Sequence, residues 1–112
     1  MKKLPLGEFE EIILLTIVIL HPGAFGLAIK KEIEARASRS VSIGALHTAL
    51  IRLEEKGYLK SREGAPTPDR AGRPKKFYQL TGLGKSALEY VRNTRQELWT
   101  AAGKNAWNLK NT

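Results

Sequence analysis

Six cationic side chains lie within 17 consecutive residues, and this cluster is the strongest chemical signal in the sequence. The same segment contains two acidic residues, Glu63 and Asp69. Residues 60–76 therefore carry a net charge of +4, which is half of the net charge of +8 of the 112-residue chain. Several cations within reach of one another are what binding to a phosphate backbone requires. The six residues are Lys60, Arg62, Arg70, Arg73, Lys75 and Lys76. The cluster indicates a nucleic-acid-binding segment; the alternative is a solvated basic loop without a ligand.

A second group of candidate residues lies on a helix predicted from the Ser42 N-cap to about Lys56. Leu46, Leu50 and Leu53 follow helical spacing and are expected to line its buried face, while Gly57 ends it. The outward residues of the N-terminal half are candidates for contacts with base edges, because that half of a recognition helix enters the groove deepest. These candidates are Ser42, Ile43, Gly44, His47 and Thr48, and the candidates for phosphate contacts are Arg52, Lys60, Arg70, Arg73, Lys75 and Lys76. For Arg52, an ion pair with Glu55 or Glu32 is the alternative.

Catalytic and metal chemistry find little support in the sequence. The chain has no cysteine, which excludes disulfides, zinc fingers, iron–sulfur clusters and thiol catalysis. Its two histidines, His21 and His47, are 26 positions apart, and neither has a carboxylate at helical spacing. No serine lies in a nucleophile elbow, and no glycine cluster matches a phosphate-binding loop. We therefore expect a protein that is not an enzyme and that uses no cofactor or metal.

The elements that must position the candidate residues follow from periodicity and from breaker residues. Helices are predicted over Leu6–Leu20, Leu27–Arg36, Ser42–Lys56 and Gly82–Ala102, strands over Tyr58–Arg62 and Lys75–Leu80, and a breaker-rich loop over Gly64–Pro74. Three helices followed by a strand, a long basic loop and a strand are the order of a winged helix-turn-helix. The predicted fold is therefore mainly α with a small β-hairpin: a DNA-binding domain over residues 1–80 and a C-terminal dimerisation helix and tail over residues 81–112.

Composition is consistent with one small folded domain. The chain is 42% hydrophobic and 27% charged, with a sequence pI near 10.0, so a polyanionic partner is expected. The run Ile12–Leu20, apolar except for Thr16, is far shorter than the ~20 residues that span a bilayer. Glu8, Glu10 and Glu11 stand where the apolar region of a signal peptide would begin, so we expect a cytoplasmic protein.

The second half of the first helix is apolar on all sides, so more than one neighbour must cover it. Two arrangements satisfy this requirement. The helix is either the centre of the domain core or a helix that a second subunit also covers.

Two stretches together resemble the signature of PadR-type transcriptional regulators. They are Ser42–Leu59, on the predicted recognition helix, and Gly72–Thr81, on the second strand of the wing. The opening Leu6–Glu10 and the pair Phe25–Gly26 are similar to that family as well, and the resemblance covers roughly residues 4–90. One position departs from the pattern: the family usually has a tyrosine on the DNA-facing side where this chain has His47. That change bears on operator sequence or affinity.

The resemblance implies a homodimeric repressor that binds an inverted repeat in double-stranded DNA. The first and last helices would form the dimer, and the two recognition helices would read successive major grooves about 34 Å apart. It also implies release of DNA by a small aromatic effector held between the last helices, where Trp99 occupies the stacking position. Simple packing is the alternative for Trp99. The rival functions are a winged-helix adaptor that binds proteins and a non-specific nucleic-acid-binding protein.

Overall fold

The computed structural model describes residues 4–66 and 74–105, which form four helices and one antiparallel hairpin. The elements are α1 (Glu8–Leu20), α2 (Gly26–Ala37), α3 (Ile43–Glu55), β1 (Leu59–Pro66), β2 (Pro74–Leu80) and α4 (Gly82–Gly103). This order confirms the predicted fold, mainly α with a small β-hairpin in a winged-helix arrangement. None of the described helices is long and apolar enough to cross a membrane.

Side-chain hydrogen bonds begin α3 and α4 where the sequence predicts, whereas α2 begins one residue before the predicted Leu27, at Gly26, without a side-chain cap. The hydroxyl of Ser42 accepts the Ala45 N–H at 3.0 Å, and the hydroxyl of Thr81 accepts the Gly84 N–H at 3.0 Å. Helix α1 begins at Glu8 rather than at the predicted Leu6. The reason is that the Glu10 carboxylate accepts the Gly7 N–H at 3.0 Å and fixes the helix start there.

The core lies where α1, α2 and α3 meet the hairpin. Ile13, Ile17, Ile29, Ile33, Leu46, Leu50 and Leu53 are all fully or almost fully buried. The three leucines of α3 are those predicted from spacing, and that prediction is confirmed. Helix α4 adds only Gly84, Ala87 and Val91 to the buried set, all from its first half.

The hairpin is attached to the helices through the α1–α2 connection. Its strands pair antiparallel from Leu59 opposite Leu80 onward. On the other edge of β2, the Tyr78 N–H donates to the carbonyl of Ala24 at 2.9 Å, and Phe25 forms an isolated bridge with Phe77. The connection thus pairs with the outer edge of β2 at a single bridge, which brings the start of α2 beside β2.

The predicted boundaries of the wing were partly wrong. Strand β1 was expected to end at Arg62, with the loop starting at Gly64, yet the strand continues to Pro66. The Phe77 ring lies over Gly64 so closely that a Cβ on Gly64 would be 2.6 Å from its Cε2. Because glycine leaves room for this ring, a residue read as a breaker becomes part of the strand, with a register irregularity between Glu63 and Pro66.

The packing of α4 on the hairpin base predicts different outcomes for two glycines of the same helix. A Cβ on Gly84 would overlap the Tyr58 carbonyl oxygen and lie 2.7 Å from Leu80 Cδ1, whereas a Cβ on Gly82 would meet nothing within 4 Å. Gly84→Ala is expected to lower the free energy of unfolding by about 1–3 kcal/mol through overpacking. Gly82→Ala, the matched control, should be neutral or stabilise by up to about 1 kcal/mol. Urea unfolding at equal protein concentration measures both, and equal effects would contradict this packing.

Candidate nucleic-acid interface

Helix α3 presents its predicted contact residues to solvent. Ile43, Gly44, His47, Thr48 and Arg52 are all exposed, as is the capping residue Ser42. A Cβ on Gly44 would meet nothing within 4 Å, so this position leaves a gap in the surface through which another molecule can approach the backbone. The helix therefore has one face in the core and the opposite face free for contact.

The turn between α2 and α3 is held by one carboxylate. Glu34 accepts the Lys30 ammonium at 2.9 Å and the Val41 N–H at 3.0 Å. These two hydrogen bonds, that of Lys30 first, lower the pKa of Glu34 below its ordinary value. Ser38 takes a left-handed conformation, with φ of 51°, where α2 ends. The carboxylate thus joins α2 to the residue just before the Ser42 cap and helps to set the angle at which α3 leaves the turn.

The His47 side chain lies against the start of α2. A Cβ on Gly26 would be 3.8 Å from both Cε1 and Nε2 of His47, which is ordinary van der Waals contact. The absence of a side chain at Gly26 therefore leaves room for the imidazole between α2 and α3, while the residue as a whole stays exposed.

Aromatic rings hold two cations of the hairpin in place. The Lys75 ammonium lies 4.2 Å from the centroid of the Phe25 ring, and the Arg62 guanidinium lies 4.7 Å from that of Phe77. The two rings meet edge to face at 5.7 Å. Cation–π contact restricts these long side chains while leaving hydrogen-bond donors available.

Glu54 connects α3 to both strands of the hairpin. Its Oε2 accepts the Ser61 hydroxyl of β1 at 2.7 Å, and its Oε1 lies 3.7 Å from the Lys76 ammonium of β2. The Lys76 side chain remains 52% exposed, so its ammonium is still accessible to a second anion. This carboxylate fixes the base of the hairpin relative to α3.

A cleft of about 440 Å³ joins these parts into one surface. It runs between the start of α2, the exposed side of α3 and strand β2. Its lining residues are Phe25, Gly26, Leu27, Ile43, His47, Ile51, Lys75, Lys76 and Tyr78. Four predicted contact residues, two from α3 and two from the hairpin, therefore border the same cleft.

A sequence model of the family described as the transcriptional regulator PadR-like family matches residues 14–90, more than two thirds of the chain. The chain belongs to this family. The match includes α2, α3 and the whole hairpin, that is, every element that borders the cleft. The PadR-like chain is thus a DNA-binding transcriptional regulator, and its relatives are regulators rather than enzymes.

Solved structures share the fold. A PadR-like transcription factor from Bacteroides fragilis is 28% identical with a TM-score of 0.71, and the match covers 88% of this chain and 89% of that one. A PadR family regulator from Clostridium difficile R20291 is 26% identical with a TM-score of 0.64, covering 86% and 96% of the two chains. A PadR family regulator from Eggerthella lenta, at 24% identity, a TM-score of 0.68 and coverages of 91% and 88%, shows likeness of fold alone. No curated protein sequence matches the chain.

The remaining predicted site residues of the PadR-like chain lie elsewhere. Lys60 lines a smaller cleft of about 240 Å³, together with His21 and Arg62. Burial acts to raise the pKa of Glu10 in α1, but hydrogen bonds from Gly7 and Lys56, together with the charges of Lys56 and Arg52, lower it below its ordinary value. Arg70 and Arg73 lie outside the described residues.

The alternative ion pairs for Arg52 do not form within residues 4–66 and 74–105. Glu32 pairs with Arg36 one helical turn away, and Arg52 remains exposed. Arg52 therefore stays a candidate for phosphate contact, at the α1 side of the recognition helix.

Sequence reasoning missed several residues of the cleft. Ile51 lies four positions after His47 and eight after Ile43, so helical spacing alone could have placed it on the same stripe. Phe25 and Leu27 could not be found this way, because their place in the cleft depends on the bridge between the α1–α2 connection and β2.

Two helices away from the cleft have apolar side chains that are largely exposed. On α1, Leu15, Val18 and Ile19 are each about half exposed. On α4, Leu98 lies seven positions after the buried Val91 and thus on the same face, yet it is 64% exposed; Trp99 is 65% exposed. An ion pair between Arg95 and Glu11 at 2.9 Å links the two helices. The apolar stripe of α4 therefore continues beyond the part of the helix that packs against the core.

Proposed function

We propose that this PadR-like protein is a homodimeric repressor that binds an inverted-repeat operator and releases it when a small aromatic molecule binds. The main support for the proposal is the cleft that is lined both by Ile43 and His47 of the recognition helix and by Lys75 and Lys76 of the hairpin. Recognition helices supply base contacts, while cations beside them supply phosphate contacts that set the register. One continuous surface with both kinds of residue suits duplex DNA.

The uncovered apolar faces support the dimer. Leu15, Val18 and Ile19 follow the i, i+3, i+4 spacing of one helix face, and Leu98 extends the stripe of α4. Apolar side chains exposed in such rows are typical of protein interfaces. A two-fold axis through α1 and α4 would present two α3 helices to DNA, and an inverted repeat mirrors that symmetry.

Selection of random duplexes by the purified protein at about 150 mM salt tests the proposal, since loose phosphate binding is much reduced there. We expect an enriched inverted repeat with half-sites near one helical turn apart. Binding without enrichment that disappears as salt rises would contradict the proposal. That result would favour a non-specific nucleic-acid-binding protein, or an adaptor whose specific partner is a protein.

The basic wing predicts a change in salt dependence. In an Arg73→Ala, Lys75→Ala double variant, affinity should fall for selected and random duplexes alike. The slope of log K against log salt should flatten by about 0.9 per lost phosphate contact in each subunit. The matched control is Lys104→Ala, just beyond the end of α4, which should leave affinity and slope unchanged. Unchanged affinity and slope in the double variant would exclude these two side chains from the DNA contacts.

The effector proposal predicts stacking on Trp99. In a Trp107→Phe background, in which emission reports Trp99 alone, planar aromatic cations or phenolic acids should quench tryptophan fluorescence. The same compounds should release the selected duplex at matching concentrations. A Trp99→Phe variant that keeps the same ligand affinity, measured by DNA release, would contradict the stacking role and favour simple packing.

A further inference from the structure

The cleft beside the recognition helix is lined by exposed aliphatic side chains. Ile43 is 45% exposed, Ile51 57% and Leu27 48%. All three border the same cleft as Lys75 and Lys76. They lie apart from the exposed apolar rows of α1 and α4, so the dimer proposed above does not account for them.

Ile43, His47 and Ile51 form one stripe along α3, because each is four residues from the next. From Ile43 to Ile51 the stripe extends about 12 Å, at 1.5 Å per residue. The His47 ring packs against Gly26 in the middle of the stripe, and Leu27 follows on α2. The cleft is therefore lined by an aliphatic strip with one imidazole and is bordered by lysines.

A surface of this composition matches a particular feature of duplex DNA. Base edges in the major groove offer hydrogen-bond donors and acceptors together with a single apolar group, the C5-methyl of thymine. Aliphatic side chains form no hydrogen bonds or ion pairs with phosphates or polar base edges. Contact between an aliphatic side chain and a methyl group is favourable, because it removes apolar surface of both from water. The lysines at the border match the charge of the backbone on either side of such a groove.

We propose that Ile43 and Ile51, with Leu27 beside them, determine operator specificity by contacting the methyl groups of thymines in each half-site. The inference rests on the proposed function, because it assumes that this face of α3 enters the major groove. Ile51 and Leu27 thus have a role in DNA binding, and the cleft prefers thymine.

Replacing thymine by deoxyuridine tests this directly, since uracil lacks only the C5-methyl and pairs with adenine in the same way. Each thymine of the selected operator is replaced in turn, symmetrically in both half-sites, and the Kd is measured for the wild-type protein. We expect about a fourfold loss of affinity per methyl contact at one or two positions of each half-site. At the other thymines the replacement should have no effect.

Variants of the two isoleucines identify the side chains. In Ile51→Ala and Ile43→Ala, affinity for the thymine duplex should fall, and the difference between thymine and uracil should disappear at the position that each residue contacts. Ile51→Leu keeps an aliphatic side chain and should retain the difference. Lys75→Ala, as a control, should weaken both duplexes equally and leave their ratio unchanged. Because both isoleucines are about half exposed, unfolding curves should show that these variants fold as the wild type does.

The outcomes separate this inference from the proposed function. A selected operator whose uracil forms bind as tightly as its thymine forms would overturn the methyl contacts while leaving a sequence-specific regulator. A thymine preference that persists in both alanine variants would also overturn the assignment to Ile43 and Ile51. Failure to select any operator would overturn the proposed function, and this inference with it.

Discussion

The burial of one face of α3 is the constraint on which the rest of the structure depends. Leu46, Leu50 and Leu53 are fully buried, so rotation of the helix about its axis would cost the burial of three leucines, about 1.5–3 kcal/mol each. With that face held, the exposed residues Ile43, His47 and Ile51 are directed away from the core, toward solvent or a ligand. The outward face of α3 is thus a consequence of core packing.

Contacts of three different kinds hold the hairpin beside α3, so that the two form one surface. A backbone hydrogen bond from Tyr78 to Ala24 fixes its edge, Glu54 holds its base, and the Phe25 ring positions the Lys75 ammonium. Exposed ion pairs and single cation–π contacts are each worth only about 1 kcal/mol. Their joint effect is geometric, because they place cations at a set distance from α3 without burying their charges.

Local signals in the sequence were sufficient for the helices, since a cap such as Ser42 and a left-handed Gly57 act within a few residues. They were insufficient for the wing. Strand β1 extends through Gly64 because Phe77 covers it from the opposite strand, and Lys60 borders a different cleft from Lys75 although both belong to one basic segment. These features depend on pairing between residues more than ten positions apart, which spacing does not encode. The same holds for Leu27, which the bridge between Phe25 and Phe77 brings beside the recognition helix.

We propose that α3 and the hairpin form a single DNA-binding surface, whereas α4 contributes to the dimer. Methyl NMR of the isoleucine-labelled protein, titrated with the selected duplex, tests it most directly. We expect large shift changes for Ile43 and Ile51, which border the cleft, and little change for Ile29 and Ile33, which are buried in the core. Parallel amide spectra should show changes at Gly44 and Lys75 and none along the second half of α4. Changes confined to α4, with Ile43 and Ile51 unaffected, would contradict the account.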